Sequence, residues 1–458
     1  MVRIFNSYVP ARALVLLFGE IAAVCVSFAL AIVICFGAES RVIYTDQQTI
    51  LKILVVAVLA FLCSHYLELH DLRRLTTNGD MYPRILMLVG ILSFLLAAVS
   101  YVFPEFSVGR YVFLTGLLIL AAIWVFWRWA YTRLISLRML RERVYLLGNG
   151  DRAIRIREAI ESRAELGMDL VGWGGESNTG QLNSTLLASK LTDLASRGAV
   201  DRIIVALADR RCVLPVNALL DLRLRGVRID DGTSLLEKVT GKIDVDELYP
   251  SWMIFGEGFR LTQRHSLLRR IISTLLALTL SILTLPLIPV IMLLIKLTSR
   301  GPVLYRQKRV GLRGHVFDCY KFRSMRQDAE ADSGATWASD EDPRITPVGR
   351  FLRRSRLDEI PQIWNVLRGD MAFVGPRPER PEFVMKLTEQ IPYYNVRHSA
   401  RPGITGWAQI KYGYGSSVEE SKEKLSFDLY YIRNVSVMLD LLIVFYTIRA
   451  VVIGRGVR

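Results

Sequence analysis

Metal-site and disulfide cysteine patterns are absent from this chain. Its five cysteines are scattered, with Cys25, Cys35 and Cys63 in apolar segments and with Cys212 and Cys319 standing alone. None has the spacing of a metal site or of a disulfide framework. The sequence also lacks a nucleic-acid-binding motif and a basic stripe interleaved with aromatic residues. A thiolate metal centre, a disulfide-stapled fold and a nucleic-acid partner are therefore not expected.

The composition is that of a membrane protein. Hydrophobic residues make up 52% of the 458 residues, and the mean hydropathy is +0.30. The formal net charge is +15. Because this basic excess accompanies long apolar runs, we expect anionic lipid and phosphate-bearing substrates as partners rather than nucleic acid.

Four apolar runs near the N-terminus have about the 20 residues needed to cross a bilayer core about 30 Å thick. They cover residues 13–36, 50–69, 85–103 and 111–131. The first run is too long for a signal-peptide core. By the positive-inside rule, basic residues mark the cytoplasmic side. Those residues are Arg3, Arg12, Arg73, Arg74, Arg84, Arg133, Arg138, Arg141 and Arg143. The pattern predicts four crossings, with outer loops near 39–48 and 104–110 and with the later domains in the cytoplasm.

The segment from residue 141 to 260 has the composition of a soluble α/β domain. Strands are predicted at 144–147, 201–207 and 227–229. The turn Gly148-Asn-Gly-Asp-Arg-Ala153 weakly resembles a dinucleotide-binding fingerprint, but an alanine replaces its last glycine and no acidic residue ends a second strand. The pattern indicates an α/β domain, with nucleotide binding at this turn as the minor alternative.

A further apolar run, residues 267–297, contains two prolines. A straight helix of this length would reach about 45 Å, more than a bilayer needs. Pro286 and Pro289 permit a sharp break instead, and the hydroxyl of Thr284 is a candidate partner for a carbonyl freed at the break. A fifth crossing is the alternative, but it would place the arginine-rich segment that follows on the outer side, against the positive-inside rule. The final apolar segment, 437–453, is expected to lie on the membrane as an amphipathic helix.

The densest charge pattern lies between residues 350 and 379, where Asp358 and Glu359 stand side by side. The arginines around them are Arg350, Arg353, Arg354, Arg356, Arg368 and Arg377. A carboxylate that attacks a diphosphate needs such cations, because like charges 4 Å apart repel by about 4 kcal/mol in a protein site. Guanidinium groups and Mg²⁺ supply that neutralisation, and aspartate is known to form acyl phosphates.

The apolar spacing around this pair predicts a helix. On a helix, adjacent side chains diverge by about 100°, so one of the two carboxylates can attack while the other binds the metal. The apolar residues are Leu352, Leu357, Ile360, Ile363 and Trp364. The alternative for the pair is simple ion pairing with neighbouring arginines on a solvated helix face.

Other polar residues are weaker candidates. Lys321 follows short predicted strands and is expected near the phosphates or the nucleophile, because a compact ammonium fits where a guanidinium cannot. The segment 327–342 is predicted to be a mobile loop, with metal binding by Asp340 and Asp342 as the alternative. The turn that contains Arg401 and Trp407 suits base or phosphate contact or is purely structural. Lys424 and Asp428 form an i, i+4 pair, which by itself indicates only surface support.

Several ordered motifs together carry a family resemblance. They are Lys321-Phe-Arg-Ser-Met325, Asp342-Pro-Arg-Ile-Thr346, Leu357-Asp-Glu-Ile-Pro-Gln362, Val374-Gly-Pro-Arg-Pro378 and Arg401-Pro-Gly-Ile-Thr-Gly-Trp-Ala-Gln409. Residues 262–455 closely resemble the bacterial polyprenyl-phosphate sugar-1-phosphate transferases. These are monotopic phosphoglycosyl transferases that begin exopolysaccharide and O-antigen assembly. The upstream segments resemble the long members of that family more loosely.

The resemblance implies a transfer of sugar-1-phosphate from a nucleotide diphosphate sugar, with uridine as the expected nucleoside, to a polyprenyl phosphate such as undecaprenyl phosphate. It implies that Asp358 is the nucleophile of a two-step reaction, that Glu359 binds Mg²⁺, and that Lys321 assists catalysis. The substrate-binding residues expected on this basis are Arg323, Arg356, Arg377, Pro378, Arg401, Lys424 and Asp428.

The expected architecture has three parts. They are a four-helix membrane domain (1–140), a Rossmann-like domain for regulation or dimerisation (141–260), and an α/β phosphoglycosyl transferase domain with a re-entrant membrane helix (261–458). The family implies a multi-pass protein of the bacterial inner membrane with a cytoplasmic site. A homodimer and other polysaccharide-synthesis proteins are the expected further partners.

Two other functions compete with this one. A membrane-tethered NAD-dependent sugar-nucleotide dehydratase or epimerase would use the glycine turn, but such enzymes need a Tyr-x-x-x-Lys pair, and no tyrosine here has a lysine four residues later. A membrane scaffold or polymer-export component would leave the charges around Asp358 unexplained.

Overall fold

A computed structural model gives the architecture of the chain. It describes all residues except 1, 5–6, 10, 38–46, 67–80, 107–108, 137–140, 149, 164–165, 175–192, 194–198, 208–213, 249–252, 254–262, 328–341, 414–416 and 454–458. Predictions that fall on Arg73, Arg74, Arg138, Cys212 and Asp340 therefore lie outside the described residues, as do most of the first outer loop and of the loop 327–342. The chain forms two compact units, residues 1–3 with 8–239 and residues 4–7 with 240–458.

Four long helices form the first part of the N-terminal unit. After short strands β1 (Val2–Ile4) and β2 (Ser7–Val9) come α1 (Ala11–Phe36), α2 (Gln47–Tyr66), α3 (Met81–Val102) and α4 (Arg110–Ser136). A helix thus occupies each predicted apolar run, and their buried side chains share one cluster. By length and composition, α1 and α4 are sufficient to cross a membrane, whereas the apolar parts of α2 and α3 within the described residues are shorter.

The rest of this unit is an α/β sandwich. Its elements are β3 (Glu142–Leu147), α5 (Asp151–Glu161), β4 (Met168–Gly174), β5 (Arg202–Val205), α6 (Val216–Leu224), β6 (Arg228–Asp231) and α7 (Gly232–Thr240). The strands form a parallel sheet in the order β4-β3-β5-β6. Alternate residues of β3 enter apolar clusters on opposite faces, Val144 with α5 and α7, and Tyr145 with α6. The three predicted strands are confirmed, whereas β4 was not predicted.

The C-terminal unit is a mixed α/β domain. Its elements are α8 (Gln263–Thr284), α9 (Leu287–Thr298), β7 (Leu304–Val310), β8 (Val316–Phe322), α10 (Pro347–Arg354), α11 (Gln362–Arg368), β9 (Ala372–Val374), α12 (Pro381–Gln390), β10 (Gly403–Thr405), α13 (Trp407–Lys411), α14 (Val418–Arg433) and α15 (Val437–Ile453). Strands β7 and β8 form an antiparallel hairpin, and β9 pairs in parallel with β10.

The apolar run with the two prolines is broken, as predicted, because α8 ends at Thr284 and α9 begins after Pro286. The segment Ser266–Thr284 is long and apolar enough to cross a membrane. The hydroxyl of Thr284 donates to the carbonyl of Leu280 at 2.8 Å. That carbonyl lies two residues before Ile282, whose carbonyl would have bonded the amide that Pro286 lacks. The predicted role of Thr284 at the freed carbonyl is therefore wrong.

Residues just before α8 contribute to the core of this unit. Ile243, Val245 and Leu248 are buried in the same cluster as Val374 and Tyr431. The indole of Trp407 donates to the carbonyl of Gly241 at 2.8 Å. The chain from Thr240 onward therefore packs as part of the C-terminal unit, about twenty residues earlier than the predicted domain boundary at residue 261.

Candidate active site

A strongly basic cavity of about 350 Å³ lies in the C-terminal unit. Eleven arginines and lysines line it, against three carboxylates. The basic residues are Arg309, Lys321, Arg323, Arg326, Arg344, Arg353, Arg356, Arg377, Arg380, Arg397 and Lys424, and the acidic ones are Asp358, Glu379 and Asp428. A cavity with this charge balance attracts anions, and guanidinium groups match the paired oxygens of phosphate.

The acidic pair lies in a tight turn rather than in the middle of a helix. Helix α10 begins at the cap Thr346, whose hydroxyl accepts the Gly349 amide, and it ends at Arg354. Arg356 then takes a left-handed conformation, with φ of 59°, and Leu357–Glu359 form one 3₁₀ turn. Pro361 precedes α11 and cannot donate to a continuous helical ladder. The predicted single helix is therefore wrong, and a 3₁₀ turn sets adjacent side chains about 120° apart.

Glu359 is held by cations. Its Oε1 atom accepts hydrogen bonds from Lys321 Nζ at 2.9 Å and from Arg377 Nη2 at 2.8 Å, while Arg356 Nη1 lies 3.7 Å from Oε2. Burial alone would raise the pKa of Glu359, but Arg377, Lys321 and Arg356 outweigh it and hold the pKa well below its usual range. Glu359 is therefore an ionised, buried anchor for the three cations, not a member of a solvated helix face.

Asp358 has a different environment. Its side chain lines the cavity, and no residue in the described part of the chain donates a hydrogen bond to it. Burial and then the Glu359 carboxylate raise the pKa of Asp358 to about 6, while Lys321, Arg353 and Arg377 limit the rise. Near pH 7 the group is thus ionised and open to the cavity, which is the state that a carboxylate nucleophile requires.

Arg377 lies on a turn whose position is fixed by bonds to its carbonyl oxygens. Pro376 and Pro378 on either side of it lack amide donors. A Cβ atom on Gly375 would lie 2.2 Å from the carbonyl oxygen of Arg401, so the close approach of these two segments requires glycine there. The carbonyl oxygens of this turn accept hydrogen bonds from other segments. Gly403 N donates to the carbonyl of Pro376, and Arg397 Nη2 donates to that of Arg377. Arg309 Nη1 donates to the carbonyl of Pro378, and Val310 N donates to that of Glu379. We call residues 374–379 the Arg377 turn.

Two cavity arginines have unused donors. Arg323 is buried, and its Nη2 atom donates to the carbonyl and hydroxyl of Ser299 at 2.9 and 2.7 Å. Its Nε and Nη1 atoms, and Nη1 of Arg353, have no hydrogen-bond partner among the described residues. Buried guanidinium donors normally find partners, so these atoms are suited to an anionic ligand.

Asp428 is placed differently from the surface pair that its spacing suggests. It is buried, and its Oδ2 atom accepts from Arg397 Nη2 at 2.8 Å. Burial raises the pKa of Asp428 to about 6, and Arg397 opposes that rise. Both residues line the cavity with Lys424. The alternative of mere surface support therefore does not hold for Asp428, and its predicted role in substrate binding stays a prediction.

Of the ten predicted site residues, the structure brings seven to the cavity lining, and Glu359 lies directly behind it. Pro378 and Arg401 are not among its lining residues. Burial, and then the neighbouring cations Arg270 and Arg269, lower the pKa of Arg401. Trp407 is buried and stacks on Tyr430, so it serves the core rather than a base. Asp342 is also buried, and Arg344 bonds it at 2.6 Å, which contradicts the solvated loop predicted for it.

Sequence reasoning missed Arg309, Arg344 and Arg397 as members of this site. Arg309 and Arg397 hold carbonyls of the Arg377 turn from positions at least twenty residues away in the chain. An arginine next to a motif gives a local signal, whereas these two give none.

The glycine turn of the N-terminal unit has a packing role. A Cβ atom on Gly148, whose φ is +136°, would lie 3.0 Å from the backbone of Ala206. The guanidinium of Arg152 is buried, and its Nη1 atom donates to the carbonyl of Leu207 at 2.8 Å. Asp151 places a carboxylate in the first turn of α5, where a dinucleotide would bring its pyrophosphate. These features do not favour the NAD-dependent alternative.

Comparison with known proteins gives a consistent picture. A family model described as bacterial sugar transferase matches residues 264–454. An Aeromonas hydrophila protein named UDP-N-acetylgalactosamine-undecaprenyl-phosphate N-acetylgalactosaminephosphotransferase is 43% identical over 48% of this chain and 52% of its own length. The UDP-glucose:undecaprenyl-phosphate glucose-1-phosphate transferase of Escherichia coli (strain K12) is 34% identical over 64% of each chain.

A third relative is matched over most of its length. The Exopolysaccharide production protein PSS of Rhizobium leguminosarum bv. phaseoli is 42% identical over 36% of this chain and 84% of its own. The chain thus matches about half to two thirds of the length of the first two relatives and most of the third.

Proposed function

This chain belongs to the bacterial sugar transferase family, and from that premise we propose that it transfers a sugar-1-phosphate from a UDP-sugar to undecaprenyl phosphate. The observation that supports this most directly is the contrast between two adjacent carboxylates. Glu359 is bound by Lys321 and Arg377, whereas Asp358 faces a basic cavity without a donor from the described residues. In such a pair, one carboxylate anchors the surrounding cations, and the other is available as a nucleophile.

In the first step, an Asp358 oxygen attacks the phosphorus that carries the sugar. A bond forms between them, the bond from that phosphorus to the bridging oxygen breaks, and the bridging oxygen leaves with uridine monophosphate. In the second step, an oxygen of undecaprenyl phosphate attacks the same phosphorus and releases the Asp358 carboxylate. The products are the lipid diphosphate sugar and the unchanged enzyme. The cavity cations offset the charge that gathers on the phosphate oxygens.

The residues present suit Mg²⁺ that is bound together with a diphosphate. Within the described parts of the chain, no group of three His, Cys, Asp or Glu side chains is arranged as a metal cage. Mg²⁺ does not need such a cage, because it commonly binds through one or two carboxylates, water and substrate phosphates. Glu359 and Asp358 are the carboxylates that would hold it, and the ion would offset phosphate charge. Because Oε1 of Glu359 already accepts from Lys321 and Arg377, Oε2 is the atom that would bind the ion, in competition with the ion pair that Arg356 Nη1 makes with it at 3.7 Å.

We further propose that α8 and α9 form a re-entrant hairpin in the bacterial inner membrane, with the cavity on the cytoplasmic face. Ala277 of α8 and Ile291 and Ile295 of α9 belong to one buried cluster that also holds Leu352 and Ile363. Both helices therefore return to the same catalytic core, which a single straight crossing would not allow. A site beside the membrane suits a reaction between a soluble donor and a lipid that stays in the bilayer.

The sheet of the N-terminal unit is proposed to be a Rossmann-like module for regulation or dimerisation. Its parallel strands and its helices on both faces support that class of fold. Beginning exopolysaccharide or O-antigen assembly, together with other polysaccharide-synthesis proteins, is the proposed pathway role.

A labelling experiment tests the function and the intermediate together. Purified enzyme in lipid nanodiscs is mixed with each of several UDP-sugars, with and without undecaprenyl phosphate, and nucleoside monophosphate release and lipid-linked product are measured. We expect product from at least one donor, and a stoichiometric burst without the lipid that leaves phosphosugar on Asp358, detectable by mass spectrometry. Asp358→Asn should fold normally and show neither signal. Near-wild-type turnover in that variant would refute the mechanism.

A further inference from the structure

A buried polar cluster in the C-terminal unit lies behind the Arg377 turn. It consists of Arg269 in α8, Tyr431 in α14 and Asp440 in α15. Arg269 Nε donates to Asp440 Oδ2 at 2.7 Å, and Arg269 Nη2 donates to the Tyr431 hydroxyl. The hydroxyl oxygen of Tyr431 lies 2.7 Å from Asp440 Oδ1. Tyr431 is 1% exposed, and the side chains of Arg269 and Asp440 are 13% and 8% exposed.

This cluster reaches the carbonyl group that begins the Arg377 turn. The Tyr431 hydroxyl lies 3.1 Å from the carbonyl oxygen of Val374, and Arg269 Nη2 lies 3.5 Å from the same oxygen. A hydroxyl has one proton, so Tyr431 donates either to Asp440 or to Val374 at a given moment. With Arg269 nearby, the carbonyl keeps a donor in either arrangement. Val374 is the last residue of β9 and stands three residues before Arg377.

Stability alone does not explain why these polar groups are buried here. Replacing a buried ion pair with well-packed apolar side chains of similar volume is often neutral or stabilising, because desolvation opposes the attraction of the charges. What apolar side chains cannot supply is a directed donor for the Val374 carbonyl. The polar cluster fixes the position of the Val374 carbonyl. Through the turn that follows, it positions Arg377, whose Nη2 atom lies 2.8 Å from Glu359 Oε1.

We propose that Arg269, Tyr431 and Asp440 are positioning residues that hold Arg377 in register with the catalytic pair, an inference that rests on the proposed function. They act through the Val374 carbonyl and touch neither substrate nor Asp358. Arg269 lies in the segment of α8 that is long and apolar enough to enter a membrane. The cluster therefore also links the position of that helix in the membrane to the geometry of the cavity.

The decisive variant is Tyr431→Phe, which removes one hydroxyl and keeps the buried ring. We expect the rate of the nucleoside monophosphate burst to fall about ten-fold, as for the loss of one buried hydrogen bond in a reacting site, while KM for the UDP-sugar changes less than two-fold. Asp440→Asn, which loosens Arg269 and Tyr431, should act in the same way. The matched control is Tyr430→Phe, which removes a hydroxyl from the preceding residue of α14, whose ring stacks on Trp407. It should leave the rate within two-fold of the wild type.

A double-mutant cycle separates positioning from general stability. In an Arg377→Lys background, the hydrogen-bond geometry of Arg377 is already lost, so Tyr431→Phe should lower the burst rate by less than two-fold. An equal loss in both backgrounds, or no loss in the wild-type background, would overturn the proposal. Hydrogen exchange of the peptide 374–379 gives a readout that does not need activity. Exchange should rise in Tyr431→Phe and not in Tyr430→Phe, and unchanged exchange would also overturn the proposal. A wild-type enzyme without transferase activity would instead refute the proposed function.

Discussion

If Asp358 is the nucleophile, the first half of the reaction must follow the ionisation of its carboxyl group. With a pKa of about 6, Asp358 is about nine-tenths ionised at pH 7 and about one-tenth ionised at pH 5. The attacking form is the carboxylate, so the burst rate should fall about nine- to ten-fold between these values as the pH is lowered. An ordinary aspartate, with a pKa near 3.9, would lose about a tenth of its ionised form over the same range.

Two substitutions should move this midpoint in opposite directions. The charge of Glu359 raises the pKa of Asp358, and the charge of Arg353 lowers it. Glu359→Gln should therefore shift the midpoint to lower pH, and Arg353→Gln should shift it to higher pH, even where both reduce the maximal rate. Arg350 lies on the same helix as Arg353, is exposed and does not line the cavity. Arg350→Gln is thus the matched control, with an unchanged midpoint.

The assay must leave out the lipid acceptor. A phosphate monoester has its own second pKa near 6, so the full reaction would confuse the titration of undecaprenyl phosphate with that of Asp358. Rapid-quench measurement of the burst with the UDP-sugar alone, from pH 4.5 to 8, avoids this. The reasoning is refuted by a burst rate that stays constant between pH 7 and pH 5, or by midpoints of the Glu359 and Arg353 variants that move in the same direction.

Two further predictions concern topology and domain division. In a chain without its native cysteines, single cysteines at Arg264 and Arg306 should both react with an impermeant reagent only from the cytoplasmic side. A single cysteine at Glu105 should react only from the outer side. Labelling of positions 264 and 306 from opposite sides would show that the α8–α9 segment crosses the bilayer. A fragment that begins at Thr240 should keep transferase activity in detergent, whereas one that begins at Phe259 loses three core aliphatic residues, each worth about 1.5–3 kcal/mol, and should melt at a lower temperature. Equal melting temperatures would contradict this account of the core.

Features encoded by neighbouring residues were predictable from the sequence. The four N-terminal helices and the break at Pro286 follow from local apolar runs and from a proline, and short strands were also expected in the stretch leading to Lys321, where the hairpin of β7 and β8 lies. The acidic pair and its flanking arginines were predictable for the same reason, because a charged motif concentrates its chemistry in a short stretch. Lys321 was also placed correctly beside the acidic pair.

The errors arose where local spacing competes with a backbone constraint. The apolar residues from Leu352 to Trp364 have helical spacing, yet the left-handed Arg356 and the missing donor of Pro361 divide that helix in two. Exposure changes as well, because Trp364, expected on the buried face, is 60% exposed. Asp428 was paired with Lys424 by spacing, whereas its bonded partner, Arg397, lies 31 residues earlier in the chain.

The Arg377 turn shows why a motif predicts which residue acts and not where it lies. Its two prolines remove amide donors, so the carbonyl oxygens around them can be satisfied only from other segments. The donors come from before the motif, as with Arg309 and Val310, and from after it, as with Arg397, Gly403 and Tyr431. No single donor is specified by the motif, and each carbonyl depends on donors that come from distant parts of the chain. The position of Arg377, and through it the ionised state of Glu359, is therefore set by the tertiary structure of the whole C-terminal unit.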